Sequence, residues 1–176
     1  MKNLILSATL LMGLAFSAQA QEISKNAIGL RIGDNDGFGA EVSYQRKLGT
    51  ANRLELDLGL RNRRDYYGDN RDDSSVKLVG LYQWVWNIEG GFNWYAGVGG
   101  GVGSWSNEGP KDYDGDDSGV FLLAAGDIGI EYVFDFPLQL SLDFRPEIYF
   151  VDDRNDYNDN YNSFGPDVAL GVRYTF

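Results

Sequence analysis

The chain has 176 residues, with 15 basic and 26 acidic side chains, no cysteine and no histidine. A net charge of -11 excludes nucleic acid as a partner, because phosphates require basic patches. The missing cysteines exclude disulfides and thiolate metal sites, and the missing histidines remove the commonest general base and transition-metal ligand.

The first residues have the pattern of a secretory signal peptide. Lys2 precedes an apolar run from Leu4 to Phe16, and Ala18-Gln19-Ala20 supplies the small residues of a cleavage site. The run is too short for a spanning helix, which needs about 20 residues. We therefore predict a cleaved signal peptide over residues 1–20 and a single domain over residues 21–176.

The predicted mature chain begins with a β-hairpin. Apolar residues alternate with small or polar ones from Ile28 to Ile32 and again from Phe38 to Gln45, around the turn sequence Asp34-Asn35-Asp36-Gly37. This register predicts that Arg31 and Glu41 face each other on the polar side, a favourable cross-strand pair.

The next three predicted strands have the same period. Residues 54–60 carry four leucines on one face and charges on the other, and residues 76–84 and 92–102 follow after a long polar link and a tight turn at 87–91. Aromatic residues near this turn and at the chain end resemble an interfacial girdle. The predicted anchors are Trp84, Trp86, Phe92, Trp94, Tyr174 and Phe176.

Three further strands complete the pattern, over residues 122–132, 138–144 and 164–176. The links after even-numbered strands are short, whereas those after odd-numbered strands are mostly long and acidic, at 63–75, 106–119 and 151–163; only the first odd link, 34–37, is short. This asymmetry is typical of outer-membrane barrels. It predicts an all-β, eight-stranded antiparallel up-and-down transmembrane β-barrel with both termini in the periplasm.

A soluble, secreted lipocalin-like barrel that binds a ligand is the alternative, with the apolar face lining a cavity. The face that carries Leu54 to Leu60 and Leu138 to Leu142 has no charge, as hydrocarbon requires. The opposite face mixes glycines with ions, which suits a narrow, filled lumen. The membrane orientation is therefore favoured.

The mature chain resembles the small outer-membrane barrels of the OmpX and OmpA transmembrane type. The resemblance rests on the eight alternating segments and on the terminal Tyr174-Thr175-Phe176, which is similar to the signal read by the barrel-assembly machinery. It implies a monomer in the bacterial outer membrane whose partners are membrane lipids and that machinery. It does not imply one activity, because this scaffold hosts many.

The inward face is predicted to hold a network of opposite charges that closes the lumen, although a narrow ion-conducting pore is the other interpretation. Asp127 and Asp143 are expected to lie nearly opposite each other if the turn centres on Asp135. The predicted lumen residues are Arg31, Glu41, Glu55, Asp57, Arg61, Lys77, Asp127, Glu131, Asp143, Arg145, Glu147, Asp167 and Arg173.

Chemistry in the loops is limited to binding. Asp112, Asp114, Asp116 and Asp117 offer hard oxygens for calcium, although a solvated acidic loop explains them as well. Five loop tyrosines are of the kind found in recognition surfaces, and acidic loops could also bridge to lipopolysaccharide phosphates through divalent ions. These tyrosines are Tyr66, Tyr67, Tyr113, Tyr157 and Tyr161.

We expect no enzyme and no cofactor, because the catalytic barrels of similar shape depend on a histidine. The predicted role is structural or adhesive, with an unidentified surface ligand bound by the acidic, tyrosine-bearing external loops.

Overall fold

The computed structural model describes residues 23–33, 39–64, 72–108, 117–152 and 164–176. The whole of the predicted signal peptide, residues 1–20, and most of the residues of the long predicted loops lie outside these ranges. No helix long and apolar enough to cross a membrane occurs in the described part of the chain.

Eight strands form a closed barrel in which each strand pairs with its neighbours in sequence and β1 pairs with β8. Every pairing is antiparallel. The prediction of an all-β, eight-stranded, up-and-down barrel is thus confirmed. The strands are β1 (Asn26–Gly33), β2 (Ala40–Lys47), β3 (Asn52–Arg64), β4 (Asp72–Glu89), β5 (Phe92–Glu108), β6 (Asp117–Val133), β7 (Gln139–Asp152) and β8 (Phe164–Thr175).

The apolar face of each strand lies on the outside of the barrel. Leu56 and Leu58 of β3 are 37% and 40% exposed, whereas Glu55 and Asp57, which alternate with them, are at most 1% exposed. Successive residues of a strand point to opposite faces, so this one observation sets the orientation of the whole strand. The lipocalin-like alternative is wrong, because its apolar face would line the interior.

The register matches the sequence in the first hairpin and differs in the last one. Arg31 pairs with Glu41, as expected. Asp143, however, pairs with Gly129 rather than lying opposite Asp127, because the β6–β7 turn is centred on Phe136, one residue later than expected. A shift of one residue in the turn centre moves the partner by two positions and keeps its face.

The two ends of the barrel differ. Three short connections, at 48–51, 90–91 and 134–138, lie at the same end of the barrel as the start of β1 and the end of β8, and we call this the short-turn end. There the backbone N–H of Asn26 donates to the carbonyl of Phe176 at 2.9 Å, and the N–H of Phe176 donates back at 2.9 Å. We call the opposite end the loop end, since the four undescribed connections join the strands there.

Cross-strand pairs of an aromatic residue and a glycine follow the β5–β6 seam inside the barrel. Tyr95 is opposite Gly129, Phe121 is opposite Gly103, and a third pair joins Trp105 to Gly119. A Cβ added to Gly129 would lie 2.5 Å from the Tyr95 hydroxyl, and one added to Gly103 would lie 2.1 Å from the Phe121 ring. The glycines therefore provide the space that the rings occupy.

We expect Gly129→Ala to lower the free energy of unfolding by about 1–3 kcal/mol, since the added methyl overpacks a buried site against Tyr95 and the Leu142 carbonyl. Urea titration in lipid vesicles, scored by heat-modifiable gel mobility, measures the change. Gly80→Ala is the matched control, because its Cβ meets only the Leu56 side chain at 3.4 Å. Equal stability of the two variants would contradict the packing argument.

Candidate functional site

Among the described side chains, buried charged residues from seven of the eight strands, all except β5, lie in the interior of the barrel. Eight carboxylates and five cations are buried there, so acids exceed bases among them. Since isolated buried charges are costly, each ion is expected to be paired. The buried carboxylates are those of Glu41, Glu55, Asp57, Asp127, Glu131, Asp143, Glu147 and Asp167, and the buried cations are those of Arg31, Arg53, Lys77, Arg145 and Arg173.

Arg31 is the centre of a cluster that joins four strands. Its guanidinium donates to Asp143 at 2.6 and 2.9 Å, to Asp167 at 2.6 Å and to Glu41 at 3.0 Å. Planar donors in a fixed fork suit several carboxylates at once. One side chain from β1 thereby connects β2, β7 and β8.

Arg145 of β7 spans the lumen to β2 and β3. It donates to Asp57 at 2.6 Å, to Glu55 at 3.2 Å and to Glu41 at 3.4 Å. Arg173 shares the Glu55 carboxylate at 3.1 Å. Both arginine side chains are 0% exposed, so water in contact with the barrel surface does not reach them.

Amide side chains extend the network toward the short-turn end. Arg53 donates to Gln83 and Glu131, both at 2.6 Å, and its guanidinium lies 4.7 Å from the Tyr95 ring centroid. Gln139 donates to Glu131 at 2.8 Å and to Gln45 at 3.1 Å. Such groups satisfy carboxylate oxygens without adding charge.

Lys77 extends the network toward the loop end of the barrel. Its ammonium lies 3.1 Å from Glu147 and 3.2 Å from Glu41, and the Tyr149 hydroxyl donates to Glu147 at 2.8 Å. The ion pairs and the hydrogen bonds of the glutamine side chains thus form one connected network that crosses the lumen. Chemically, the arrangement can fix charges and block passage.

Twelve of the thirteen residues that the sequence assigned to the lumen are buried inside the barrel, and Arg61 is partly exposed. Sequence reasoning missed Arg53, because the segment before Leu54 was treated as a link. Extending the alternation of β3 by one step would have found Arg53, since it is two residues from Glu55 and therefore on the same face of the strand. The uncharged members Gln45, Gln83 and Gln139 could have been found in the same way.

The lumen is not polar throughout, which corrects the expectation of a polar interior. An apolar cluster lies on its β4–β6 wall, with Tyr149 of β7 packed against it. The inward glycines of β5 leave room for large side chains there, and apolar ones fill it without any need for partners. The cluster consists of Val79, Leu81, Trp105, Phe121, Leu123 and Ala125.

The six predicted anchors lie toward the short-turn end. Trp86 and Trp94 stack with ring centroids 4.3 Å apart, and Phe92 lies 4.6 Å from Tyr132. Trp84 packs edge-on against Tyr82 at 5.0 Å, and Tyr174 and Phe176 lie 6.1 Å apart. The sequence did not assign Tyr82, Tyr132, Phe134 and Phe136 to this group, although they continue it.

The loop residues that the sequence singled out are not placed. Asp112, Asp114 and Asp116 lie outside the described residues, and Asp117 begins β6 with a side chain that is likewise not described. Within the described ranges, no group of acidic side chains could hold a metal ion. The five loop tyrosines, Tyr66, Tyr67, Tyr113, Tyr157 and Tyr161, also lie outside the described residues.

No protein-family model matches the sequence, and no curated protein matches it. Solved structures do match by fold. The Yersinia pestis attachment invasion locus protein Ail has a TM-score of 0.55 and 13% identity, covering 87% of this chain and 97% of its own. Neisserial surface protein A has a TM-score of 0.53 and 13% identity, covering 86% of this chain and 93% of its own. Ail has also been solved with the heparin analogue sucrose octasulfate.

We expect Arg145→Leu to lower the free energy of unfolding by about 3–5 kcal/mol, because it leaves Asp57, Glu55 and Glu41 buried with fewer partners. Urea unfolding in vesicles, followed by heat-modifiable mobility, measures the loss. Arg46→Leu is the control, since Arg46 is exposed and an exposed contact contributes about 0–1 kcal/mol.

The double variant Arg145→Leu/Asp57→Leu separates ion pairing from loss of packing. If pairing matters, the double variant is less destabilised than the sum of the two single variants. Additive effects would contradict a coupled network.

Proposed function

We propose that this protein is an integral β-barrel of a bacterial outer membrane with a closed lumen, acting as a structural or surface-interaction protein. The premise is its fold, an eight-stranded closed barrel similar to those of Ail and Neisserial surface protein A. At 13% identity, these neighbours support the architecture and leave the role to be argued from this chain.

The observation that carries the proposal is the uncharged outer surface. On every strand, the outward-facing residues between the two ends are apolar, glycine or proline, as in Ile28 to Ile32, Leu54 to Leu60 and Val168 to Val172. A lysine or arginine at the middle of a bilayer costs about 2–4 kcal/mol, whereas water would impose no such restriction. A surface of this kind suits hydrocarbon.

The proposed orientation places both termini in the periplasm and the undescribed connections outside the cell. Short turns on the periplasmic side and longer external loops are usual for outer-membrane barrels. The aromatic group at the short-turn end fits the inner interface. In this arrangement Tyr174-Thr175-Phe176 would be read by the barrel-assembly machinery, and the barrel would be a monomer surrounded by lipid.

The external connections are strongly acidic. Segments 34–38, 65–71, 109–116 and 153–163 contain 2, 2, 3 and 3 acidic residues, ten in all, against three basic ones. Ail binds a sulfated heparin analogue in one of its structures, but anionic sulfates would be repelled by loops of this charge. We therefore propose a surface ligand that is cationic or that is bridged by divalent ions, contacted also by the loop tyrosines.

A catalytic role is not proposed. Without histidine, the nucleophile–base arrangements of barrel enzymes cannot form. Most of the buried carboxylates are paired with arginine or lysine, and Asp127 accepts a hydrogen bond from Gln83.

The location is tested by cell fractionation and gel mobility. The protein is expected in the outer-membrane fraction, with faster mobility before heating than after it, because a lipid-embedded barrel resists unfolding by detergent. Recovery in the soluble periplasmic fraction with no heat-dependent shift would contradict the proposal.

The loop role is tested by replacing residues 153–163 with a Gly/Ser segment of equal length. Cells that display the variant are expected to adhere to cultured epithelial layers several-fold less than cells with the unaltered barrel. Equal membrane levels and an unchanged heat shift serve as the controls. Adherence of the unaltered barrel no higher than that of cells lacking it would contradict the adhesive role and leave the barrel assignment intact.

The closed lumen predicts no stable conductance steps in planar bilayers, because Arg31, Arg145 and Arg173 block it with buried ion pairs. Steady single-channel steps from the purified barrel would show instead that the network opens to ions.

A further inference from the structure

A patch of serine hydroxyls marks the outer surface of the β4–β6 wall near the loop end. Ser74, Ser106 and Ser118 are successive cross-strand neighbours, and Ser104 lies beside them, opposite Val76 and Val120. We call these four residues the serine patch. Ser74, Ser104 and Ser118 are exposed and Ser106 is half-buried, so the hydroxyls lie at the outer surface.

On each of the three strands, the serine patch lies directly beyond the last apolar residue of the outer face. Val76, Val102 and Val120 are 44%, 47% and 52% exposed on the same face, one step nearer to the middle of the barrel. The change from valine to serine occurs on three adjacent strands at once. On β5 the change comes one step nearer to the middle, because Ser104 is opposite Val76 and Val120. A change from apolar to polar residues within one step on three neighbouring strands indicates a boundary in the environment outside the barrel.

The height of the patch agrees with a membrane boundary. Ten residues separate the girdle residue Trp94 from Ser104 on β5, and ten separate Trp84 from Ser74 on β4. At about 3.3 Å per residue and a tilt of about 40°, ten residues rise about 25 Å along the barrel axis. The apolar band of an outer-membrane barrel is also about 25 Å tall. The patch is therefore at the level of the headgroups in the leaflet opposite the girdle.

The patch is concave. A cavity of about 470 Å³ is lined by all four serines together with Val76 and Val120. It lies on the outer face, because six of its nine lining residues point outward; the other three, Ser75, Trp105 and Gly119, are at inward positions of the same strands. Small side chains between branched ones leave this space, and hydroxyls in it can both donate and accept hydrogen bonds.

We propose that the serine patch binds the sugar headgroup of an outer-leaflet glycolipid through its hydroxyls. This inference rests on the outer-membrane location proposed above. The chemistry favours a sugar over a bare phosphate, because the described residues that line the cavity offer hydroxyls and no cation.

The test compares vesicles of phosphatidylcholine alone with vesicles that also contain an uncharged digalactosyl glycolipid or phosphatidylglycerol. The midpoint of urea unfolding is expected to rise with the glycolipid fraction for the unaltered barrel and to respond less to phosphatidylglycerol. Combined replacement of the patch, Ser74→Ala, Ser104→Ala, Ser106→Ala and Ser118→Ala, is expected to remove at least half of the glycolipid-dependent rise. Ser106→Ala alone should remove a smaller part.

Thr50→Ala is the matched control, because it removes an exposed hydroxyl at the short-turn end. A fourfold variant that keeps the full glycolipid response, or a response equally strong with phosphatidylglycerol, would overturn the sugar site. Normal insertion with no glycolipid response overturns only this inference, whereas failure to insert into any vesicle contradicts the membrane barrel itself.

Discussion

The structure depends on one constraint, which is that charge is kept inside and apolar surface outside. In hydrocarbon no water is present to satisfy an exposed polar group, so every backbone group must pair within the sheet and the sheet must close on itself. The side chains follow the same rule. Glu55 and Asp57 turn inward to Arg145, while the leucines between which they lie face outward.

The fold could be predicted from the sequence because this constraint leaves a simple periodic signal. Each strand has a period of two, and the strands are separated by turn residues or acidic segments, so strand number, order and orientation follow directly. The Arg31–Glu41 pair was predictable for the same reason, since a short turn sets the register of a hairpin. Local pattern was sufficient wherever the relevant contact was between adjacent strands.

The contacts across the lumen could not be read from the pattern. The period of two places Arg145 and Glu55 inside the barrel but does not predict that they contact each other. That contact depends on the tilt of the strands and on the height of each residue along the barrel axis. The apolar cluster around Phe121 was missed for a related reason, because inward alternation does not require polarity. The β6–β7 turn was misplaced by one residue because Asp135-Phe136-Pro137 offers two plausible centres.

The hydrogen bonds from Arg31 to Asp143 and Asp167 join residues 112 and 136 positions apart in the chain. They can form only after the two ends of the polypeptide have met, so a half-inserted sheet would hold this arginine with few of its final neighbours. Barrels dominated by such distant contacts gain their stability late and in a concerted step. For this chain, closure of the β1–β8 seam is therefore expected to be a late step of folding, because only then does Arg31 reach its partners on β7 and β8.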